Sequence, residues 1–183
     1  SKGRDESKIK KLLESKHICF GENRIDEAEL KWNNLKEKNI NLHFIGALQS
    51  KKVKSIMNFF NVIESLDTES SAKNIAKYTK KINAVKLFVQ VNIGEEDQKR
   101  GIKPIELKNF IKMCKLKYNL KVHGAMCMAP LSKEPAYYFK LMKKLCYEND
   151  ISNISMGMSN DYKQAIINGS TNIRVGSLIF GKT

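Results

Sequence analysis

Ser155-Met156-Gly157-Met158-Ser159 and Asn172-Ile173-Arg174-Val175-Gly176-Ser177 decide the fold. Each is a short apolar stretch that ends in small polar residues just where a helical pattern begins. Outward from this pair, seven such stretches recur along the chain, alternating with helical periodicity. Repeated strand–helix units with chemistry at the strand ends predict an α/β fold of the (β/α)8 TIM-barrel type, whose functional face lies at the C-terminal ends of the strands. Seven strands are one short of such a barrel, and the sequence opens at Ser1-Lys2 without a Met. Lys2 is therefore expected at the tip of a first strand whose body lies upstream of Ser1, with the first helix and most of strand 1 absent from this sequence. An open doubly wound sheet is the alternative topology, but no strand leads into a G-x-G-x-x-G turn.

Helical periodicity covers 5–16, with Ile9, Leu12 and Leu13 on one face, and 24–38, with Ile25, Ala28, Leu30 and Trp32 as the apolar positions. Strands are expected at 17–20, 42–46, 61–67, 84–93, 120–128, 154–159 and 172–180. Between them, a helix is expected at 50–60, and another carries Ala72, Ile75, Ala76 and Tyr78 behind a cap at Thr68 or Ser70. Further helices fall at 105–116, opened by Pro104, at 134–147, and at 160–168, closed by Gly169. Residues 94–101 read as a long polar loop. No linker or second domain is visible, so 1–183 reads as one barrel domain.

Composition limits the function classes. Hydrophobic content of 42% and charged content of 28% suit a globular chain rather than a disordered one. No apolar run approaches the roughly 20 residues of a membrane span. The net charge of +14 invites a nucleic-acid reading. However, only Arg4, Arg24, Arg100 and Arg174 of the 33 basic residues are arginine, the better phosphate and base reader. The lysines are dispersed over helices, as at Lys10-Lys11 and Lys143-Lys144, which fits a compositional drift toward Lys, Asn and Ile. Cys19, Cys114, Cys127 and Cys146 form no Cys-x-x-Cys pair, and His17, His43 and His123 are far apart, so no metal site is expected.

The strand ends hold the chemistry. Ser159 precedes Asn160-Asp161 and reads as a helix N-cap, whose hydroxyl and free N–H groups would make an anion site. Gly157 and Gly176 would let the backbone approach a ligand closely. The plainer alternative is that Ser159 only caps its helix. Gly169-Ser170-Thr171 joins a helix to the next strand and so belongs to the opposite, structural face. Alternation puts Asn172, Arg174 and Gly176 on one face. An inward arginine is costly alone, so Arg174 meets either a ligand or a carboxylate, the latter a plain salt bridge. Glu22 and Asn23 end one strand; Ser65 and Asp67 share parity on another, as do Gln90 and Asn92 on the next. No Ser/His/Asp triad and no general acid/base carboxylate pair assembles from these.

Phe20-Gly21-Glu22-Asn23-Arg24, Phe44-Ile45-Gly46-Ala47-Leu48-Gln49, Val91-Asn92-Ile93, Ser155-Met156-Gly157-Met158-Ser159, the run from Gly169 to Gly176, and Ile179-Phe180-Gly181 together resemble the pyridoxal phosphate homeostasis proteins. The likeness runs nearly end to end. The family is a single barrel of PLP fold type III, similar to the N-terminal domain of alanine racemase. Its Leu-Gln-x-Asn-Lys pattern reads Leu48-Gln49-Ser50-Lys51-Lys52 here. The resemblance implies pyridoxal 5′-phosphate (PLP) as cofactor, held as a Schiff base by Lys2, because a Ser-Lys pair ends the family's first strand at the interval separating Lys2 from Phe20. It implies Ser155, Ser159, Gly176 and Ser177 around the phosphate, with Gly157 in the same loop. Asn23, His43 and Ser65 would lie around the ring, and Arg174 at the pyridine nitrogen. A permanent cation there disfavours protonating the ring and weakens the cofactor as an electron sink. The sequence also stops after the last strand, before any domain that could supply a second acid/base. The implied function is PLP homeostasis in the cytoplasm, as a monomeric carrier or regulator without robust catalysis, with PLP-dependent apoenzymes as recipients. The alternative is a racemase-like PLP-dependent amino-acid enzyme.

Overall fold

The computed structural model describes residues 1, 3–4, 6–35, 39–78, 84–131 and 134–181. Seven strands form one sheet in the order β1-β2-β3-β4-β5-β6-β7, every neighbouring pair parallel. They are β1 (Cys19–Glu22), β2 (Asn41–Phe44), β3 (Val62–Leu66), β4 (Lys86–Val91), β5 (Val122–Cys127), β6 (Asn153–Met158) and β7 (Asn172–Arg174). The helices are α1 (Glu6–Glu14), α2 (Ile25–Leu35), α3 (Val53–Phe59), α4 (Glu69–Ala76), α5 (Leu107–Tyr118), α6 (Pro135–Glu148), α7 (Tyr162–Ile167) and α8 (Ser177–Phe180). A doubly wound sheet reverses its strand order at a switch point; this order never reverses. The sheet also curls. In a flat sheet β3 and β6, three strands apart, would be separated by about 14 Å, yet Ser155 Oγ on β6 donates to Glu64 Oε2 on β3 at 2.6 Å. The seven strands thus form a nearly closed barrel of the expected type.

Alternation divides the apolar residues into two layers. Ile63, Leu87, Val89, Ala125, Cys127, Ile154 and Met156 join Ile75, Leu107, Phe139 and Met142 of the helices in the main core. Val62, Phe88 and Met126 are buried outside that cluster, at the other parity, and fill the barrel. Local signals act as read at several places. Thr68 caps α4, accepting from Ser71 N while Ser71 Oγ accepts from Thr68 N. Pro104 opens a 3-10 turn ahead of α5. Ser170 and Thr171 spend their hydroxyls on the β6 backbone, at Met156 O and Ile154 O, confirming that Gly169-Ser170-Thr171 serves the structural face.

Three departures matter. The strand expected at 17–20 is shifted to Cys19–Glu22, so Gly21 and Glu22 lie within it. The last strand stops at Arg174 rather than running on to Phe180, and the chain turns into α8. Two bulges also interrupt the pairing. Between β3 and β4 the register passes from Ile63↔Leu87 to Leu66↔Val89, so Glu64 and Ser65 together oppose Phe88. Between β6 and β7 it passes from Ser155↔Asn172 to Met158↔Arg174, which sets Met156 and Gly157 against Ile173. A bulge inserts one residue, changes parity and re-aims side chains.

The 94–101 loop is itself folded. Asn92 Nδ2 donates to Glu96 O and Lys99 O, and Gln90 Nε2 donates to Arg100 O. Arg100 grips Asp67 bidentately, Nε to Oδ2 at 2.9 Å and Nη2 to Oδ1 at 3.0 Å.

Gly157 has φ +95°, and a Cβ there would lie 2.5 Å from Ala165 Cβ. Its missing side chain makes room for α7. Helix packing is thus a reason for glycine here in addition to the sequence-based one, approach to a ligand. Gly157→Ala combines backbone strain of about 1–3 kcal/mol with overpacking of about 1–3 kcal/mol. The expected result is a melting temperature lower by about 4–24 °C in thermal denaturation, given roughly 2–4 °C per kcal/mol at this size.

Candidate functional site

Inside the barrel a chain of hydrogen bonds links six of the described strands. Glu64, 1% exposed, sits at the β3 bulge. Its Oε1 lies 2.5 Å from His43 Nδ1 on β2, and its Oε2 accepts from Ser155 Oγ on β6. Arg174 at the end of β7 donates from Nη1 to Ser155 Oγ at 2.6 Å and from Nη2 to Cys127 O at 2.8 Å. Its Nη1 is 3.9 Å from Glu64 Oε2. On the far side of His43, Asn41 Nδ2 and Cys19 Sγ lie 3.1 and 3.4 Å from Nε2. Arg174 thus has a carboxylate within ion-pair distance, one of the two partners its position allowed, and still keeps guanidinium N–H groups without a described acceptor.

Charge runs consistently along this chain. Burial opposes a charge on His43, but the Cys19 and Glu64 contacts outweigh it and its pKa rises to about 9. Burial also opposes ionising Glu64, yet hydrogen bonds from His43 and Ser155 and the Arg174 charge hold its pKa below the ordinary value. Burial pushes the Cys127 thiol up to about 12, so it remains a neutral packing group.

The expected site residues fall into two groups. His43, Ser155 and Arg174 are joined through Glu64. Ser159, Gly176 and Ser177 lie together at the β6–β7 ends, where Ser159 Oγ accepts from Gly176 N at 3.3 Å. Ser159 is therefore not a helix cap: Asp161 occupies the N-cap of α7, and its Oδ1 accepts from Met158 N. A Cβ added at Gly176 meets nothing within 4 Å, so that glycine, unlike Gly157, does face free space. Ser65 is buried, with its hydroxyl lacking any partner among the described residues. Asn23 is half-buried and shares a cleft with Arg24, Asp26, Gln49 and Lys52. Lys2 lies outside the described residues.

Sequence reasoning passed over Glu64, the hub of the site. The usable signal was a carboxylate in the apolar run Val62-Ile63-Glu64-Ser65-Leu66, the counterpart of the argument applied to Arg174. Two opposite charges buried in one barrel ask to be paired. It also passed over Arg100 as the partner of Asp67.

A site with spare guanidinium donors, an unused buried hydroxyl, serine hydroxyls and an open glycine at neighbouring strand ends suits an anionic ligand with hydrogen-bonding ring substituents. The residues therefore fit a phosphorylated pyridine.

The His43–Glu64 pair makes stability pH-dependent. A base with a raised pKa contributes stability fully present below its unfolded value, near 6.5, and lost as pH rises through about 9. An acid with a depressed pKa contributes above its unfolded value, near 4.5, and loses that contribution as pH falls. The melting temperature of the wild type should therefore fall more steeply from pH 6.5 to 9 than that of His43→Gln. Parallel profiles would mean that His43 is neutral in the fold.

Comparison with known proteins gives this geometry its context. Residues 4–183 match the alanine racemase N-terminal domain family. The pyridoxal phosphate homeostasis protein of Aquifex aeolicus is 36% identical over 173 residues, covering 89% of this chain and 76% of the relative. That of Pasteurella multocida is 33% identical over 197 residues, covering 99% and 83%. Among solved structures, PipY of Synechococcus elongatus without PLP superposes with a TM-score of 0.90 at 27% identity, covering 99% of this chain and 90% of that one. The same protein with PLP bound gives 0.86. Alanine racemase of Clostridium difficile, at 17% identity and a TM-score of 0.74, shares the fold over 96% of this chain and 48% of its own. On this evidence the chain belongs to the alanine racemase N-terminal domain family and, within it, to the pyridoxal phosphate homeostasis proteins.

Proposed function

We propose that this protein binds PLP covalently and acts in the cell as its carrier or regulator, not as a catalyst. The observation that carries this reading is Arg174, an inward cation with uncommitted donors, held beside the open ends of β6 and β7. Ser155, Ser159, Gly176 and Ser177 are assigned to the phosphate region, Asn23, His43 and Ser65 to the ring, Arg174 to the ring nitrogen, and Lys2 to covalent attachment. When bound, the cofactor supplies an aldehyde that a lysine amine can take up as C=N, its carbonyl oxygen leaving as water. The PLP-bound PipY structure supports the cofactor assignment. Ser1 supports the lysine assignment: its nitrogen donates to Gly21 O at 2.6 Å, so the residue preceding Lys2 runs beside β1.

Several observations favour a carrier over a racemase-like enzyme. Arg174, assigned to the ring nitrogen, sets a guanidinium cation there and so disfavours a proton on that nitrogen. α-Proton chemistry needs a positioned base and a positioned acid tuned near the working pH. Three titratable groups close to the strand ends, among the described residues, are already paired: His43 with Glu64, Asp67 with Arg100, and Glu22 with Lys31. The relatives are named for homeostasis. In the same reading the protein works as a cytoplasmic monomer, a single barrel domain that hands PLP to apoenzymes. Among the described residues no helix is long and apolar enough to cross a membrane.

The full chain incubated with PLP, reduced with borohydride and digested should show the pyridoxyl mass on Lys2. An adduct on another lysine, or none, overturns the assignment. In deuterated water, NMR should detect no loss of amino-acid α-proton signals faster than free PLP produces. Rapid, stereospecific exchange would make the protein an enzyme.

A further inference from the structure

A cluster of charged groups at the junction of β1 and α2 takes no part in the barrel-interior chain. Glu22, the last residue of β1, is fully buried, and its Oε1 accepts from Lys31 Nζ at 2.9 Å and Trp32 Nε1 at 3.2 Å. The same oxygen accepts from Ser1 Oγ at 2.5 Å. Lys31 Nζ also donates to Ser1 O at 2.7 Å and to Glu27 Oε1 at 3.4 Å, one helical turn back on α2. Glu27 Oε1 in turn accepts from Gly3 N at 2.5 Å. Both neighbours of Lys2 are thereby gripped: Ser1 at its carbonyl and hydroxyl, Gly3 at its amide. Gly3 has φ +60°, and Arg4 N donates to Ser1 O at 3.2 Å, so the two flanks are also tied to each other.

Stability alone is a poor reason for this arrangement. The side chains of Lys31 and Glu22 are 7% and 0% exposed. Such a pair spends much of its Coulomb attraction on desolvation, and an apolar pair of similar volume is often as stable. What the ions do achieve is geometric. Lysine brings three N–H donors on a long stem, and here they reach Ser1 O, Glu22 and Glu27. An attacking amine must be held close to productive geometry, and an error of about 1 Å can cost on the order of a hundredfold in rate. The four-carbon stem of a lysine is flexible, so fixing its backbone on both sides is the available means of narrowing its range.

We infer that Glu22, Glu27 and Lys31 form a positioning clamp on the flanks of Lys2, presenting that lysine for covalent capture of the cofactor. This rests on the reading of Lys2 as the attachment point. The three side chains touch no cofactor in this scheme; they act only through the Ser1 and Gly3 backbone and the Ser1 hydroxyl.

The test uses the full chain in four forms: wild type, Glu27→Ala, Glu27→Gln, and the double variant Glu22→Gln/Lys31→Met, which removes both buried charges together. Growth of the visible band after adding PLP gives the capture rate, borohydride trapping gives the occupied lysine, and melting temperature monitors the fold. Glu27→Ala should keep the wild-type melting temperature and capture PLP at Lys2 about tenfold or more slowly, whereas Glu27→Gln, which keeps an acceptor for Gly3 N, should recover most of the rate. The double variant should be slowed further. Wild-type rates in both Glu27→Ala and the double variant would overturn the clamp while leaving the attachment site intact. A wild type without a Lys2 adduct would overturn the attachment site and the clamp with it.

Discussion

Glu64 is a carboxylate enclosed by the barrel, and the interior is organised around the need to compensate its charge. An ionised group that is 1% exposed persists only with partners supplied at close range. Those partners come from three other strands: His43 from β2, Ser155 from β6 and Arg174 from β7. The carboxylate therefore ties β2, β6 and β7 to β3 across the barrel and favours the charged form of His43. The outer core of helices on strands would tolerate small shifts; this chain of short hydrogen bonds tolerates few.

The architecture was legible because strand and helix periods alternate cleanly, and because Thr68, Pro104 and Gly169 punctuate the helices as propensity dictates. Arg174 was legible too, since an arginine at an inward strand position requires a partner. What escaped were features that depend on register. A bulge adds one residue to a strand without leaving a mark in local composition. The parity argument that linked Ser65 to Asp67 left out Glu64, which shares the parity of Val62 and points into the barrel ahead of the bulge. The second bulge brings Gly157 against Ala165, a packing demand that strand alternation alone does not reveal. Ser159 looked like a cap because it precedes a helix, but Asp161, two residues later, occupies that position.

The high positive charge contributes little to this picture. The ion pairs that shape the site use only a few of the basic residues: Lys31, Arg100 and Arg174. Each of these faces a buried carboxylate. Exposed pairs such as Lys52–Asp26 and Lys117–Glu69 belong to the solvated surface, where such contacts are worth little. Burial, not abundance, separates the informative cations from the rest.

The 94–101 segment looks like an ordinary polar connection, the sort of place where chains gain and lose residues freely. Its carbonyls are instead counted out one by one to Asn92 and Gln90, and its far end is bolted to β3 through Arg100 and Asp67. Lengthening or shortening it by a single residue would move Arg100 off its carboxylate and strand a buried charge. The loop is therefore closed to the length variation by which barrel proteins ordinarily diversify, and novelty in this chain has to enter through other connections.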